Sequence, residues 1–225
     1  MAHLLIAEWL AIALYILGGA VAGYIIGMIL AGLIGLIFSL FTPDEATSIA
    51  ILGSKGSGKT TLWDQLRGEF KDRDYYPTEG SDPINEFIIE HNGVKKTIKK
   101  TLDFSGDDQM VKRYNELIEE GTYIYYLIDL TMLEKFKRET RSRLQVISKI
   151  AKEKNLGDKA GCRLIGTNYR KYNIQGGKSR DDARHELCKV IRLDSVKDVN
   201  VEDKIMILEL TDKNDVNEIL DQIIK

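Results

Sequence analysis

Ser48-Ile49-Ala50-Ile51-Leu52-Gly53-Ser54-Lys55-Gly56-Ser57-Gly58-Lys59-Thr60-Thr61-Leu62-Trp63 holds three kinds of signal in succession. Ser48 to Leu52 is a short apolar run with the length and β-branched content of a buried strand. Gly53-Ser54-Lys55-Gly56-Ser57-Gly58-Lys59-Thr60 then fits G-x-x-x-x-G-K-[ST], and Thr61-Leu62-Trp63-Asp64-Gln65-Leu66 continues as a helix. Between a strand and a helix, such glycines let backbone N–H groups turn inward around an anionic group. Lys59 adds a cation for the terminal phosphates and Thr60 a hydroxyl for Mg²⁺. The helix N-terminus adds a favourable dipole. Gly53 to Thr61 is therefore assigned to nucleotide binding, with Lys59 also a catalytic candidate.

Downstream, Tyr75-Tyr76-Pro77-Thr78 lies in a polar stretch. Ile84 to His91 and Val94 to Asp103 read as two strands around an Asn92-Gly93 turn. The second ends in Asp103-Phe104-Ser105-Gly106, where an Asp at a strand end can hold Mg²⁺ through water and Gly106 can offer its N–H to a phosphate. Asp107 to Glu120 is expected as a helix, Thr122 to Asp129 as a buried strand and Met132 to Lys154 as a long amphipathic helix. Gly161 to Gly166 and Lys204 to Leu210 complete the strands, and a last helix runs from Val216 to Ile224. The pattern predicts an α/β domain over 44–225, with a six-stranded, mostly parallel sheet and one antiparallel edge pair.

Residues 1–43 are of another kind. Their only formal charge is Glu8, whereas the rest of the chain carries all 32 Lys and Arg and all but one of the 34 Asp and Glu. Trp9 to Phe41 has no formal charge. A bilayer core of about 30 Å needs roughly 20 helical residues, so the run predicts a transmembrane anchor, as one long span or a helical hairpin. Gly19, Gly23, Gly27, Ala31 and Gly35 recur at every fourth position, a ridge on which another helix can pack closely. It reads either as a simple anchor that tolerates glycine in lipid or as a packed hairpin or self-associating helix. A cleavable signal peptide, a myristoylation start and a prenylation end are not expected. Pro43-Asp44-Glu45 gives no basic flank from which to read orientation.

The soluble part resembles the small GTPases of the P-loop superfamily across nearly its whole length. Lys59 and Thr60 match the phosphate loop, Thr78 in Tyr-x-Pro-Thr resembles the first switch threonine, and Asp103 to Gly106 match the D-x-x-G of the second switch. Thr211-Asp212-Lys213 is similar to the S-A-K turn that backs the guanine base. The resemblance implies GTP or GDP with Mg²⁺, the metal held by Thr60, Thr78 and, through water, Asp103. An anchor leading straight into such a domain resembles the beta subunit of the signal-recognition-particle receptor and, more loosely, Arf proteins.

Three departures stand out. Where the family has N-K-x-D, this chain has Thr167-Asn168-Tyr169-Arg170, and Arg170 offers no acceptor to guanine. Either a carboxylate from the following insertion, where Asp181 and Asp182 lie, supplies the contact, or base specificity is relaxed toward ATP. Thr167, Asn168, Arg170, Thr211, Asp212 and Lys213 remain the candidate base-side residues. After D-x-x-G stands Asp107 instead of the Gln that orients water. It is the second catalytic candidate, a carboxylate able to accept a water proton but facing the γ-phosphate's charge. Slow hydrolysis is therefore expected, with Gln109 a substitute only if the loop reshapes. Lys55 replaces the glycine of Ras-like loops.

His3, His91 and His185 have no ligand spacing, and Cys162 and Cys188 read as packing residues. With a net charge of −2 and no dominant basic block, nucleic acid is not an expected partner. Lys95, Lys96, Lys99 and Lys100 flank an edge strand, where they blunt pairing or meet anionic headgroups. The expected function is a membrane-anchored nucleotide switch with its domain in the cytosol and an unidentified effector at its switch loops. The alternatives are a non-hydrolysing, nucleotide-bound receptor or scaffold subunit, and a membrane protein whose self-assembly the nucleotide regulates.

Overall fold

A computed structural model of the chain describes residues 28, 46–69, 78–156, 162–191 and 205–224. The chain divides into two units, Met1–Asp44 and Glu45–Lys225, and every element below belongs to the second. The membrane reading of residues 1–43 lies outside the described residues, as does Tyr75-Tyr76-Pro77. Among the described residues, no helix is long and apolar enough to cross a membrane.

Four parallel strands form the centre: β1 (Ile49–Gly53), β6 (Tyr123–Asp129), β7 (Cys162–Thr167) and β8 (Ile205–Ile207), in the order β1-β6-β7-β8. Their near-continuous apolar sequence follows from burial on both faces. Along β1, Ala50 and Leu52 join one core while Ile49 and Ile51 join the other. β6 divides the same way, with Ile124, Tyr126 and Ile128 against one layer and Tyr125 and Leu127 against the opposite one. The first layer is covered by α3 (Leu133–Glu153) and α5 (Arg180–Ile191), the second by α1 (Lys59–Leu66) and α6 (Lys213–Ile224). Cys162 is fully buried in the first core, and Cys188 is half-buried against it.

The predicted hairpin forms about Asn92 and Gly93, both at positive φ (51° and 79°), but each long strand is cut in two. β2 (Ser81–Ile84) pairs antiparallel with β5 (Thr101–Phe104), and β3 (Phe87–His91) with β4 (Val94–Ile98). The break at Lys99-Lys100 has a local cause. The Lys99 amide donates to the Thr47 carbonyl, while the Thr47 amide donates to Thr97, so the chain leaves its hairpin partner to pair with the approach to β1.

The helix expected over Asp107–Glu120 is also corrected. It consists of a single turn, α2 (Asp108–Val111), and a 3₁₀ turn at Tyr114–Glu116. The interruption lets Tyr114 turn inward and stack on Phe104, with ring centroids 6.5 Å apart, while the Arg113 guanidinium covers the Phe104 ring at 5.1 Å. Burying these rings outweighs the continuity of one short helix. The last helix starts earlier than predicted, because the Asp212 carboxylate accepts from the Asn214 amide and caps α6. A helix not expected from the sequence, α4 (Tyr169–Gly176), begins at the base-side loop.

Candidate nucleotide-binding site

The phosphate loop leaves the C-terminal end of β1 and enters α1, at the edge of the sheet where open α/β folds place their ligands. Gly58 sits at the helix start with φ of 92°, a left-handed conformation costly for other residues. A Cβ there would also lie 2.7 Å from the Leu210 side chain. Lys59 is buried and donates to the Ser54 carbonyl at 3.0 Å, which folds its ammonium back over the loop. Burial lowers its pKa to about 8, against the opposing pull of the Asp103 carboxylate. The Ser57 hydroxyl is buried without a partner, whereas Lys55 is exposed.

Three oxygens from separate segments meet beside Lys59. The Thr60 hydroxyl donates to Asp103 Oδ2 at 2.7 Å and lies 3.1 Å from the Thr78 hydroxyl. Hard oxygen donors of this kind, two hydroxyls and a carboxylate, are the type that would hold Mg²⁺, with Asp103 acting through water. Asp103 is buried, its Oδ1 has no partner among the described residues, and desolvation raises its pKa although the Thr60 hydrogen bond and Lys59 pull it down. Both features match a carboxylate shaped for a cation. Among the described residues, no cluster of three or more His, Cys, Asp or Glu could hold a metal; this set is one carboxylate and two hydroxyls.

Gly106 lies directly against the phosphate loop. A Cβ at this position would be 2.1 Å from the Lys55 nitrogen and 2.5 Å from the Ser54 carbonyl carbon, so only glycine permits the approach. Asp107 is exposed and accepts from the Ser105 hydroxyl at 3.0 Å. Gln109 is exposed within α2.

Sequence reading missed Arg143. Its guanidinium, 3% exposed, projects from α3 and donates to the carbonyls of Gly53 (3.2 Å) and Gly106 (2.9 Å). Asp108 (2.9 Å) and Glu139 (2.8 Å) balance its charge. One side chain thus ties the start of the phosphate loop to Gly106. A signal was present: Arg143 falls at helical spacing between Thr140 and Ile147, a charge on an otherwise buried stripe.

At the base end, Thr167 is buried and donates to the Ser57 carbonyl at 2.9 Å, joining β7 to the phosphate loop. Asn168 stands at the N-cap position of α4 in the left-handed region, with φ of 58°, and makes no side-chain capping hydrogen bond. Arg170 is exposed, and its backbone N–H donates to Glu209. Asp181 pairs with Arg184 and Asp182 accepts from Ser179, so both carboxylates proposed as acceptors are engaged around the start of α5. Thr211 and Lys213 are exposed around the cap that Asp212 makes.

No family model and no curated protein matches the sequence. Among solved structures, the chain is similar to the Arl6 BBS3 small GTPase from Trypanosoma brucei, determined with the bound nucleotide analogue GppNp. The identity is 15% and the TM-score 0.58, over 79% of this chain and 95% of that one. The likeness does not single out the signal-recognition-particle receptor beta subunit. It shows that residues of the second unit adopt the small-GTPase fold, an α/β architecture around a mostly parallel sheet.

Proposed function

We propose that the chain is a Mg²⁺-dependent guanine-nucleotide switch, anchored in a membrane by residues 1–43 and slow to hydrolyse its nucleotide. The observation that carries this reading is the convergence of Thr60, Thr78 and Asp103 beside the buried Lys59. Mg²⁺, when bound, supplies positive charge against the terminal phosphates. Lys59 holds the same phosphates from within the loop. Thr78 reaches the cluster from outside α1, where a bound ion and terminal phosphate would hold it and their loss would release it, the behaviour of a switch. Gly106 and the loop share one packed contact, through which Arg143 links them. Asp107 is turned toward Ser105 and bears the wrong charge to approach a phosphate, which keeps turnover slow. GTP titration into the full chain, with and without Mg²⁺, tests this reading: tight binding only with Mg²⁺ is expected, and metal-independent binding contradicts it.

The same Asp107 contact favours a second reading, a subunit that stays nucleotide-bound and serves as a receptor or scaffold. Single-turnover hydrolysis with and without membrane partners separates the two; a rate that no partner raises supports the scaffold. In either case the nucleotide domain belongs in the cytosol, where nucleotide, Mg²⁺ and a reducing milieu for Cys162 and Cys188 are found. Protease added outside intact cells should spare residues 44–225. An effector at the switch loops and self-association through the glycine ridge complete the proposal. Crosslinking with and without residues 1–42 tests the ridge.

A further inference from the structure

The base end lacks the acidic residue expected at Arg170, yet a carboxylate reaches that place from the other wall. Glu209 follows β8 and precedes Thr211-Asp212-Lys213, the turn read as backing the base. Its Oε2 accepts from the Arg170 backbone N–H at 3.0 Å and its Oε1 from the Thr211 hydroxyl at 3.0 Å. The carboxylate therefore bridges the N-terminus of α4 and the turn, the two segments between which a base would lie.

The other nearby carboxylates have donors of their own, on their own segments or on neighbouring ones. Asp181 pairs with Arg184, Asp182 accepts from Ser179, and Asp212 caps α6. Asp215 takes both a bidentate contact from Arg180 and the Glu209 amide. Among the described residues, Glu209 has no ion-pair partner within salt-bridge distance; its donors are one amide and one hydroxyl. An ionised carboxylate offers about four acceptor positions, so two remain. The side chain is half-buried, held at both oxygens and still able to accept.

We infer that Glu209 is the residue that selects guanine, in place of the missing aspartate; this rests on the nucleotide-binding reading above. Guanine presents N1–H and the 2-amino group side by side, two donors that match one carboxylate. Adenine presents a bare N1 lone pair on the corresponding edge, which the carboxylate repels. The discrimination lost with the altered N-K-x-D is thus restored from the strand end, and neither Asp181 nor Asp182 is needed.

Glu209→Gln tests this, because the amide oxygen still accepts from Arg170 or Thr211 and the fold is retained. Xanthine keeps N1–H but carries a carbonyl at C2, which an amide N–H can satisfy and a carboxylate cannot. Titration of GTP, ATP and XTP with Mg²⁺ into the full-length wild type and the variant, with thermal melts alongside, gives the readout. The expected result is GTP binding to the wild type, with GTP affinity in the variant falling roughly 10- to 100-fold and XTP affinity rising. An unchanged GTP:XTP ratio in a variant that melts like the wild type overturns the role of Glu209 while leaving the nucleotide site intact. A wild type that binds none of the three overturns both.

Discussion

The two ends of one site solve their tasks differently. At the proposed phosphate end the loop is suited to a charge that every nucleoside triphosphate carries, and motif, glycine positions and cation all stand in one stretch of sequence. At the proposed base end the candidate groups come from α4 and from the turn after β8, segments distant in sequence that meet only in the fold. The first solution tolerates little variation, since Gly58, Lys59 and Gly106 are each fixed by contacts that other side chains would disrupt or lose. The second needs only an acceptor of the right charge in the right place, and the strand that supplies it is free to change. A degenerate motif at one end is therefore compatible with an intact site at the other.

Substitutions at the phosphate end should affect GTP and ATP alike, whereas those at the base end should alter only their ratio. Lys59→Met has the largest expected effect. It should weaken binding of every nucleotide by at least about 100-fold, as charge-assisted contacts to phosphate are lost. The same change should stabilise the nucleotide-free protein by roughly 1–3 kcal/mol, because the buried ammonium is held well below its ordinary pKa by desolvation. Binding titrations and melts on one preparation check both, and equal loss in stability and binding would show that Lys59 merely holds the fold.

Arg143→Met is next. It leaves the Gly53 and Gly106 carbonyls without their donor and Glu139 without its partner, at a cost of about 3 kcal/mol in chemical denaturation. Nucleotide should recover part of that loss, and denaturation with and without GTP measures how much.

Acidity gives a smaller effect with a definite sign. In the nucleotide-free site Lys59 titrates at about 8, and a bound phosphate returns the lysine toward its ordinary range. Binding should be at full strength below pH 8 and weaken as pH rises above it, by up to about tenfold per unit until the bound lysine also titrates. Calorimetry at pH 7 and pH 9 checks this; a flat profile would remove Lys59 from phosphate contact.

The smallest change is expected at Arg170→Asp. A second carboxylate beside Glu209 should raise the GTP:ATP affinity ratio only a few-fold, since the acceptor is already present. A large rise would mean that Glu209 does not face the base.

How much could be read from residues alone follows from how local each feature is. Gly53 to Thr61 and the alternating strands and helices were readable, since hydrophobic period and glycine spacing are properties of neighbouring residues. Thr78, Asp103 and Gly106 were placed by motif, and the fold brings Thr78 and Asp103 to Thr60, and Gly106 to the loop at Ser54 and Lys55. What sequence did not reveal depends on distant partners. The cut at Lys99 arises from Thr47, and the broken helix after Asp107 from Tyr114 turning inward onto Phe104. Arg143 and Glu209 look like surface charges until α3 and β8 are set against the loops they serve.

The most direct test of a guanine-nucleotide site is to identify what the protein carries. The full chain, extracted in mild detergent with Mg²⁺ throughout and denatured only at the last step, should release GTP or GDP in a near one-to-one ratio to protein. Release of adenine nucleotides, or of no nucleotide from a preparation that also fails to bind added GTP, would contradict the account.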